Sequence, residues 1–195
     1  MASLLDSVDD LGLIESARRG EAAAFGEIVR RYEDRIFNTI YRLVGDWQDA
    51  KDLTQQTFLK AYESMGTFRG GSRFYTWLYR IGVNAALDER KKQSRSPGFL
   101  SDSFDLSSAE DGRSRGGRST ADDPADGLIS RETEAAVMQA IRSLDEMHRA
   151  VVVLRDIEGL DYDEIAEALE CPRGTVKSRL HRARIILREK LKDVV

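Results

Sequence analysis

The chain has 195 residues, 41% of them hydrophobic and 33% charged, with a net charge of −4. That suffices for one ordinary domain or two small ones, and the acidic balance excludes a protein that coats nucleic acid with uniform positive charge. A single cysteine, Cys171, excludes an intrachain disulfide, and two separated histidines, His148 and His181, argue against a zinc site.

No apolar run reaches membrane-spanning length. Met1 to Glu15 carries acids but no base ahead of its hydrophobic residues, the wrong order for a secretory signal. The expectation is a cytoplasmic protein without membrane insertion, in which Cys171 is small apolar filler.

The first predicted helix is capped by Asp9 or Asp10 and runs through Arg19, with Gly20 as its stop. A second starts near Glu21. Phe25, Ile28, Val29, Tyr32, Ile36, Ile40, Leu43 and Val44 keep helical spacing over about six turns, and Gly45-Asp46 breaks it. This pattern leaves Arg30, Arg31, Glu33 and Arg35 in water.

A third helix spans Asp49 to Tyr62, with Asp46 or Asp49 suited to its N-terminal dipole. Ala50, Leu53, Ala61 and, on the flank, Phe58 face inward, so Asp52, Gln55 and Gln56 form an outward polar strip. On spacing alone this strip is equally a binding face or a plain solvated one.

Gly66, Gly70 and Gly71 then mark a loop. No Gly-Lys-Ser/Thr ends it and no strand leads into it, so it is not a phosphate-gripping loop. Phe68, Arg69 and Arg73 place an aromatic ring and two cations there. In the helix that follows, Phe74, Leu78, Ile81 and Ala85 share one face, and Trp77, Arg80, Asn84 and Lys91 share the shoulder beside it. Aromatic planes next to Arg and Asn suit single-stranded nucleic acid, where each stacked base contributes roughly 1–3 kcal/mol. The competing reading, that Phe74 and Trp77 are core, stays open on sequence.

From Ser94 to Gly127 the composition shifts: eight serines, five glycines and two prolines among these residues, with seven acids against four arginines. Such a stretch buries too little apolar surface to offset its ordering entropy. It reads as a flexible tether of roughly 30 Å r.m.s. span, or as a bare spacer.

Leu128, Val137, Ile141 and Leu144 begin a second module, with a cap near Asp145. Val151, Val152 and Leu154 form its next helix, ended by Gly159. Ile165, Ala166 and Leu169 then face a short helix inward. After the breaker Cys171-Pro172-Arg173-Gly174, Val176, Leu180, Ala183, Leu187 and Leu191 trace one face of a final helix. Two short amphipathic helices about such a turn make a helix-turn-helix. Opposite its apolar stripe lies Ser178, flanked by Thr175, His181, Arg182 and Lys177.

Charge divides between these two helices. Asp156 to Glu170 holds seven acids and no lysine or arginine, while Cys171 to Lys192 holds eight bases and one acid. A solvated helix needs charge of either sign; phosphate contact needs one sign, because each neutralised phosphate releases counterions. Small polar residues at the outward pole admit a DNA backbone, and long basic ones reach phosphates or base edges.

The strings Asp52-Leu-Thr-Gln-Gln-Thr-Phe-Leu-Lys-Ala-Tyr, Phe68-Arg-Gly, Phe74-Tyr-Thr-Trp-Leu-Tyr-Arg-Ile-Gly-Val-Asn84, Tyr162-Asp-Glu-Ile-Ala and Gly174-Thr-Val-Lys-Ser-Arg-Leu occur in this order. With them the chain resembles the bacterial extracytoplasmic-function sigma factors, the small class of the sigma-70 family, over nearly its whole length outside the tether. The resemblance implies an all-α fold of two small helical domains, 1–93 and 128–195, joined by a linker at 94–127. The second is a four-helix unit ending in the helix-turn-helix. It implies that Asp49, Asp52, Leu53, Gln55, Gln56 and Phe58 dock on the clamp helices of core RNA polymerase. Phe68, Arg69, Gly70, Ser72, Arg73 and Asn84 would line a pocket for a base flipped from the non-template strand at the minus-ten element. Trp77, Arg80 and Lys91 would hold the opened strand. Arg173, Thr175, Lys177, Ser178, Arg179, His181 and Arg182 would read the minus-thirty-five duplex. His181 and Arg173 fall where the family varies, so the promoter sequence does not carry over.

These expectations describe a monomeric, non-enzymatic subunit with no cofactor and no metal, whose partners are core polymerase, promoter DNA and an anti-sigma factor. The alternative is a stand-alone helix-turn-helix regulator. Its mark would be a ligand or phosphate-receiving domain, or dimerisation to match half-sites, and no strand-helix alternation supplies a receiver.

Overall fold

The computed structural model describes residues 8–70, 72–95 and 124–192. Among them all regular structure is helical: α1 (Val8–Arg18), α2 (Ala22–Val44), α3 (Trp47–Ser64), α4 (Phe74–Arg95), α5 (Pro124–Arg142), α6 (Glu146–Val152), α7 (Tyr162–Ala168) and α8 (Arg173–Lys190). A 3-10 turn, Met65–Thr67, follows α3, and a π-helical turn, Val153–Ile157, follows α6.

The first unit is built on α2, whose long apolar face is the one its periodicity predicts. Ile28, Ile36 and Ile40 are buried there, against Ala50, Leu53, Phe58 and Ala61 of α3 and Phe74, Leu78 and Val83 of α4. Each such large side chain contributes roughly 1.5–3 kcal/mol on burial. Gly45, at φ 87°, lets the chain leave α2 in the left-handed conformation and donates its N–H back to Tyr41. Gly82 lies where the helices come closest: a β-carbon there would meet Ile40 and Thr57 at 3.4 Å. Asp46 caps α3 by accepting from the Asp49 N–H at 2.8 Å.

One sequence expectation changes here. Asp10 does not cap α1; it lies inside the helix, buried, accepting from the Tyr32 hydroxyl at 2.9 Å and paired with Arg31. It thereby fastens α1 across α2. At the tether, α4 runs to Arg95 and α5 begins at Pro124. The interior of that stretch, 96–123, and the Leu128 side chain lie outside the described residues.

In the second unit Asp145 caps α6 by accepting from the Met147 and His148 N–H groups. Asp161 and Glu164 form a reciprocal capping box at the start of α7. Ile165 and Ala168 of α7 and Val176, Leu180 and Ala183 of α8 close on Val151 to Leu154 as the core.

The two units pack against each other. Glu158, 6% exposed, follows the π-helical turn and points into the first unit. Its carboxylate accepts from Tyr79 at 2.7 Å, Thr39 at 2.9 Å and Arg35 Nε at 3.0 Å, while Arg35 Nη2 donates to its backbone carbonyl at 3.0 Å. Arg35, which periodicity leaves in water, is therefore half-buried at this junction. Arg149 of α6 makes the reverse reach. It donates to the Leu43 carbonyl at 2.6 Å, where α2 ends, and to the Leu144 carbonyl at 2.9 Å, just past the end of α5. Burial, together with the nearby charge of Arg90, brings its guanidinium pKa down to about 10.

Candidate nucleic-acid interface

Helix α8 presents its predicted face to solvent. Val176, Leu180 and Ala183 root it in the core, and Arg173, Lys177, Ser178, His181 and Arg182 are exposed. Thr175 is half-buried at the first turn. Arg179 lies on the flank, half-buried, with its Nη1 shielded from solvent, so it is less available than its neighbours. No side chain caps α8, so its N-terminal N–H groups and positive dipole end are disposed toward an anion such as phosphate. The turn before it needs one left-handed residue, Glu170 at φ 48°, and Cys171 there is half-buried. Acids of the preceding segment steer the outer bases: Asp163 pairs with Arg173 at 3.4 Å and Asp156 with Arg184 at 2.5 Å.

At the second predicted site the aromatic and polar members separate. Phe68 packs on Phe74 and Trp77 with ring centres 5.5 and 5.2 Å apart. Both Phe68 and Trp77 are buried, so they form the floor under the loop rather than an open stacking face. Arg69, Gly70 and Arg73 are exposed above that floor, with Ser72, Arg80 and Asn84 half-buried around it and Lys91 exposed further along α4. Gly70 adopts φ 70°, a turn that brings the loop cations back over α4.

This loop faces α7. Arg73 Nη1 lies 3.3 Å from Glu164 Oε1, the Tyr75 hydroxyl donates to the same oxygen at 2.7 Å, and Thr76 approaches it at 3.4 Å. A cleft of about 510 Å³ opens between them, with Ser72 and Arg73 on one wall and Asp161, Asp163, Glu164 and Glu167 on the other. Burial, reinforced by the Glu164 carboxylate, raises the Tyr75 pKa; burial and the Glu158 charge raise that of Tyr79 further.

The third set lies on α3. Asp52, Gln55 and Gln56 are exposed and, with Leu59, line a shallow groove of about 340 Å³. Leu53 and Phe58, which spacing turns inward, are buried beneath the strip. Asp49 accepts from Gln93 at 2.8 Å, tying α3 to the end of α4. Sequence reading missed the apolar part of this face: Leu59 is 57% exposed, Trp47 48% and Tyr62 45%. The available signal was a leucine four residues after Gln55, on the side assigned to water. Among the described residues no cluster of acidic, histidine or cysteine side chains is placed to hold a metal, and no helix is long and apolar enough to cross a membrane.

Residues 28–96 match the family described as Sigma-70 region 2, and residues 134–187 match Sigma-70, region 4. The chain is 40% identical to the RNA polymerase sigma-H factor of Pseudomonas aeruginosa, over 93% of each protein. It is 37% identical to the ECF RNA polymerase sigma-E factor of Escherichia coli, over 97% of this chain and 98% of that one. Among solved structures it is similar to CnrH in complex with the cytosolic domain of CnrY, with a TM-score of 0.67 and 25% identity over 96% of this chain and 99% of that one. It shares its fold with the sigma factor RpoE crystallised with the anti-sigma factor NepR from Bartonella quintana, with a TM-score of 0.64 and 24% identity over 86% of this chain and 96% of that one.

Proposed function

The chain belongs to the sigma-70 family, in its extracytoplasmic-function class, and from this we propose that it directs core RNA polymerase to specific promoters and promotes DNA melting at initiation. What carries the reading is the pairing, in one chain, of a region-2 match and a region-4 match whose recognition helix exposes an almost purely basic face.

The division of labour follows the three surfaces. On the first unit, Asp52, Gln55 and Gln56, with exposed Leu59 beside them, face the polymerase clamp, and Asp49 holds that strip to α4. On the second, Arg173, Thr175, Lys177, Ser178, His181 and Arg182 enter the major groove at the minus-thirty-five element. Arg and Lys there supply phosphate affinity, and Ser178 and Thr175 permit close approach. Arg69, Gly70, Ser72, Arg73, Arg80 and Asn84 receive the unpaired minus-ten strand over the floor made by Phe68 and Trp77.

Melting is then differential binding. Unstacking a base costs a few kcal/mol, and capture of the flipped base in a pocket of this kind offsets it. A subunit that binds the open strand better than duplex shifts the population toward open promoter. Catalysis and most non-specific DNA affinity reside in core polymerase, so the chain itself needs no active site. In this reading it works in the cytoplasm, its domains are 1–93 and 128–195, and an anti-sigma factor is a third partner, since two tethered units offer two faces to clamp.

The test is run-off transcription with purified core polymerase on a library of genomic fragments. The reading predicts discrete new transcripts sharing two upstream motifs. Unchanged transcription with and without the chain would exclude it.

A further inference from the structure

We infer that Asp10 and Tyr32 are positioning residues for strand capture. Helix α1 contributes no residue to the three surfaces described above, yet through these two side chains it sets the floor of the minus-ten loop.

The link begins at a buried carboxylate. Asp10, 6% exposed, lies on α1 and accepts from the Tyr32 hydroxyl of α2 at 2.9 Å, while also pairing with Arg31. The Tyr32 ring meets Phe74, the first residue of α4, edge to face with ring centres 5.8 Å apart. Phe74, 1% exposed, lies 5.5 Å from both Phe68 and Trp77. Those two rings are the floor, and Phe68 directly precedes Arg69, where the residues assigned to the unpaired strand begin. A second route runs through the backbone. Helix α1 touches the 3-10 turn, Met65–Thr67, and the Phe68 N–H donates to the Met65 carbonyl at 3.2 Å.

Stability alone does not account for a carboxylate at this place. Burying an ion pair costs desolvation that its attraction often only offsets, and an apolar pair of similar volume holds two helices as well. Ile14 and Ala17 already fasten α1 by apolar burial. What the Asp10–Tyr32 bond adds is direction: a phenol held at its hydroxyl keeps its ring edge on Phe74. Closely packed rings pass on that constraint, because a protein interior has little slack. A floor fixed before the base arrives spares the ordering cost at the moment of capture. Duplex readout by α8 draws nothing from this link.

The assignment rests on the function proposed above, so the floor and the promoter are read separately. In the full chain with Trp47→Phe, Trp77 is the remaining tryptophan, and its emission reports the floor in the free protein. Asp10→Ala and Tyr32→Phe should each shift that emission to the red. Asp10→Asn, which keeps an acceptor for the hydroxyl, should restore it. In holoenzyme, with Trp47 intact, Asp10→Ala and Tyr32→Phe should each lower the closed-to-open promoter equilibrium by about tenfold, the low end for loss of one hydrogen bond to a charged group, with closed-complex affinity unchanged. Ile14→Ala, one turn along α1, should lower the melting temperature but leave both the emission and promoter opening as they were. Should Asp10→Ala lose its helical circular dichroism, the conservative Tyr32→Phe decides. Unmoved Trp77 emission in the folded variants, or both effects reproduced by Ile14→Ala, would overturn the inference. Shifted emission with normal opening would overturn it where Asn84→Ala still blocks opening, and would sink the strand-capture reading where it does not.

Discussion

The Tyr79 hydroxyl donates to the Glu158 carboxylate at 2.7 Å, joining the middle of α4 to the segment leading into the helix-turn-helix. The two residues are 79 positions apart, and each is buried. A hydrogen bond to a charged acceptor contributes roughly 1.5–3 kcal/mol, and a buried partner left alone costs more. Tyr79 and Glu158 therefore govern how the two units sit together.

The first prediction concerns alkaline pH. Burial and the facing carboxylates raise the pKa of both Tyr79 and Tyr75 in the folded protein. A group whose folded pKa lies above its unfolded value, about 10 for tyrosine, gives stability that is full below that value. The contribution is lost as pH rises through the folded pKa. Docking of the units should hold to about pH 10 and weaken beyond it. Ultraviolet titration of phenolate should show late-ionising tyrosines, and Tyr79→Phe should remove part of that late component. If every tyrosine titrated together in the native protein, the buried contact would be absent.

Core and surface leucines should separate stability from binding. Leu78, buried at the centre of the first unit, should cost about 2–5 kcal/mol on change to Ala. Leu59→Ala, on the exposed face of α3, should change stability by no more than about 0.5 kcal/mol while weakening holoenzyme assembly. Chemical denaturation and a polymerase-binding titration measured on the same two variants read this out. Equal losses of stability would contradict the assignment.

Helix α7 depends on its capping box. Asp161 accepts from the Asp163 and Glu164 N–H groups, each at 2.9 Å. Asp161→Ala should lower unfolding stability by about 1 kcal/mol, and Asp161→Asn by much less, because asparagine also caps. Thermal melts of the two variants decide it.

On α8, phosphate and base contacts should separate by salt. Lys177→Ala should weaken promoter binding by the holoenzyme about equally on all sequences and reduce the salt-dependence slope by about one. Ser178→Ala should instead change preference among bases at one position, with the slope intact. Binding isotherms at several salt concentrations distinguish the two.

What the sequence made legible is what local periodicity encodes. The apolar faces of α2, α3, α4 and α8, the cap at Asp145 and the helix-turn-helix all follow from spacing, turn residues and charge. The junction does not, because nothing within a few residues of Glu158 signals a tyrosine in another unit. In a run of acids it reads as solvated, and Arg35 reads the same way on its own helix. Leu53, Phe58, Phe68 and Trp77 show a related limit. A family motif says that these positions matter, but not whether each touches a partner or supports the residue that does. The structure adds that all four are buried. Leu59 was lost because a polar strip was read as polar throughout.

The most direct measurement separates duplex recognition from strand capture in one variant, Asn84→Ala, in holoenzyme on a promoter found by run-off transcription. Closed-complex affinity and permanganate reactivity of unpaired thymines at the minus-ten element would be recorded together. The account predicts nearly unchanged affinity for duplex with strongly reduced thymine reactivity. Equal loss of both, or full reactivity in the variant, would contradict a chain that reads duplex with α8 and traps the melted strand on α4.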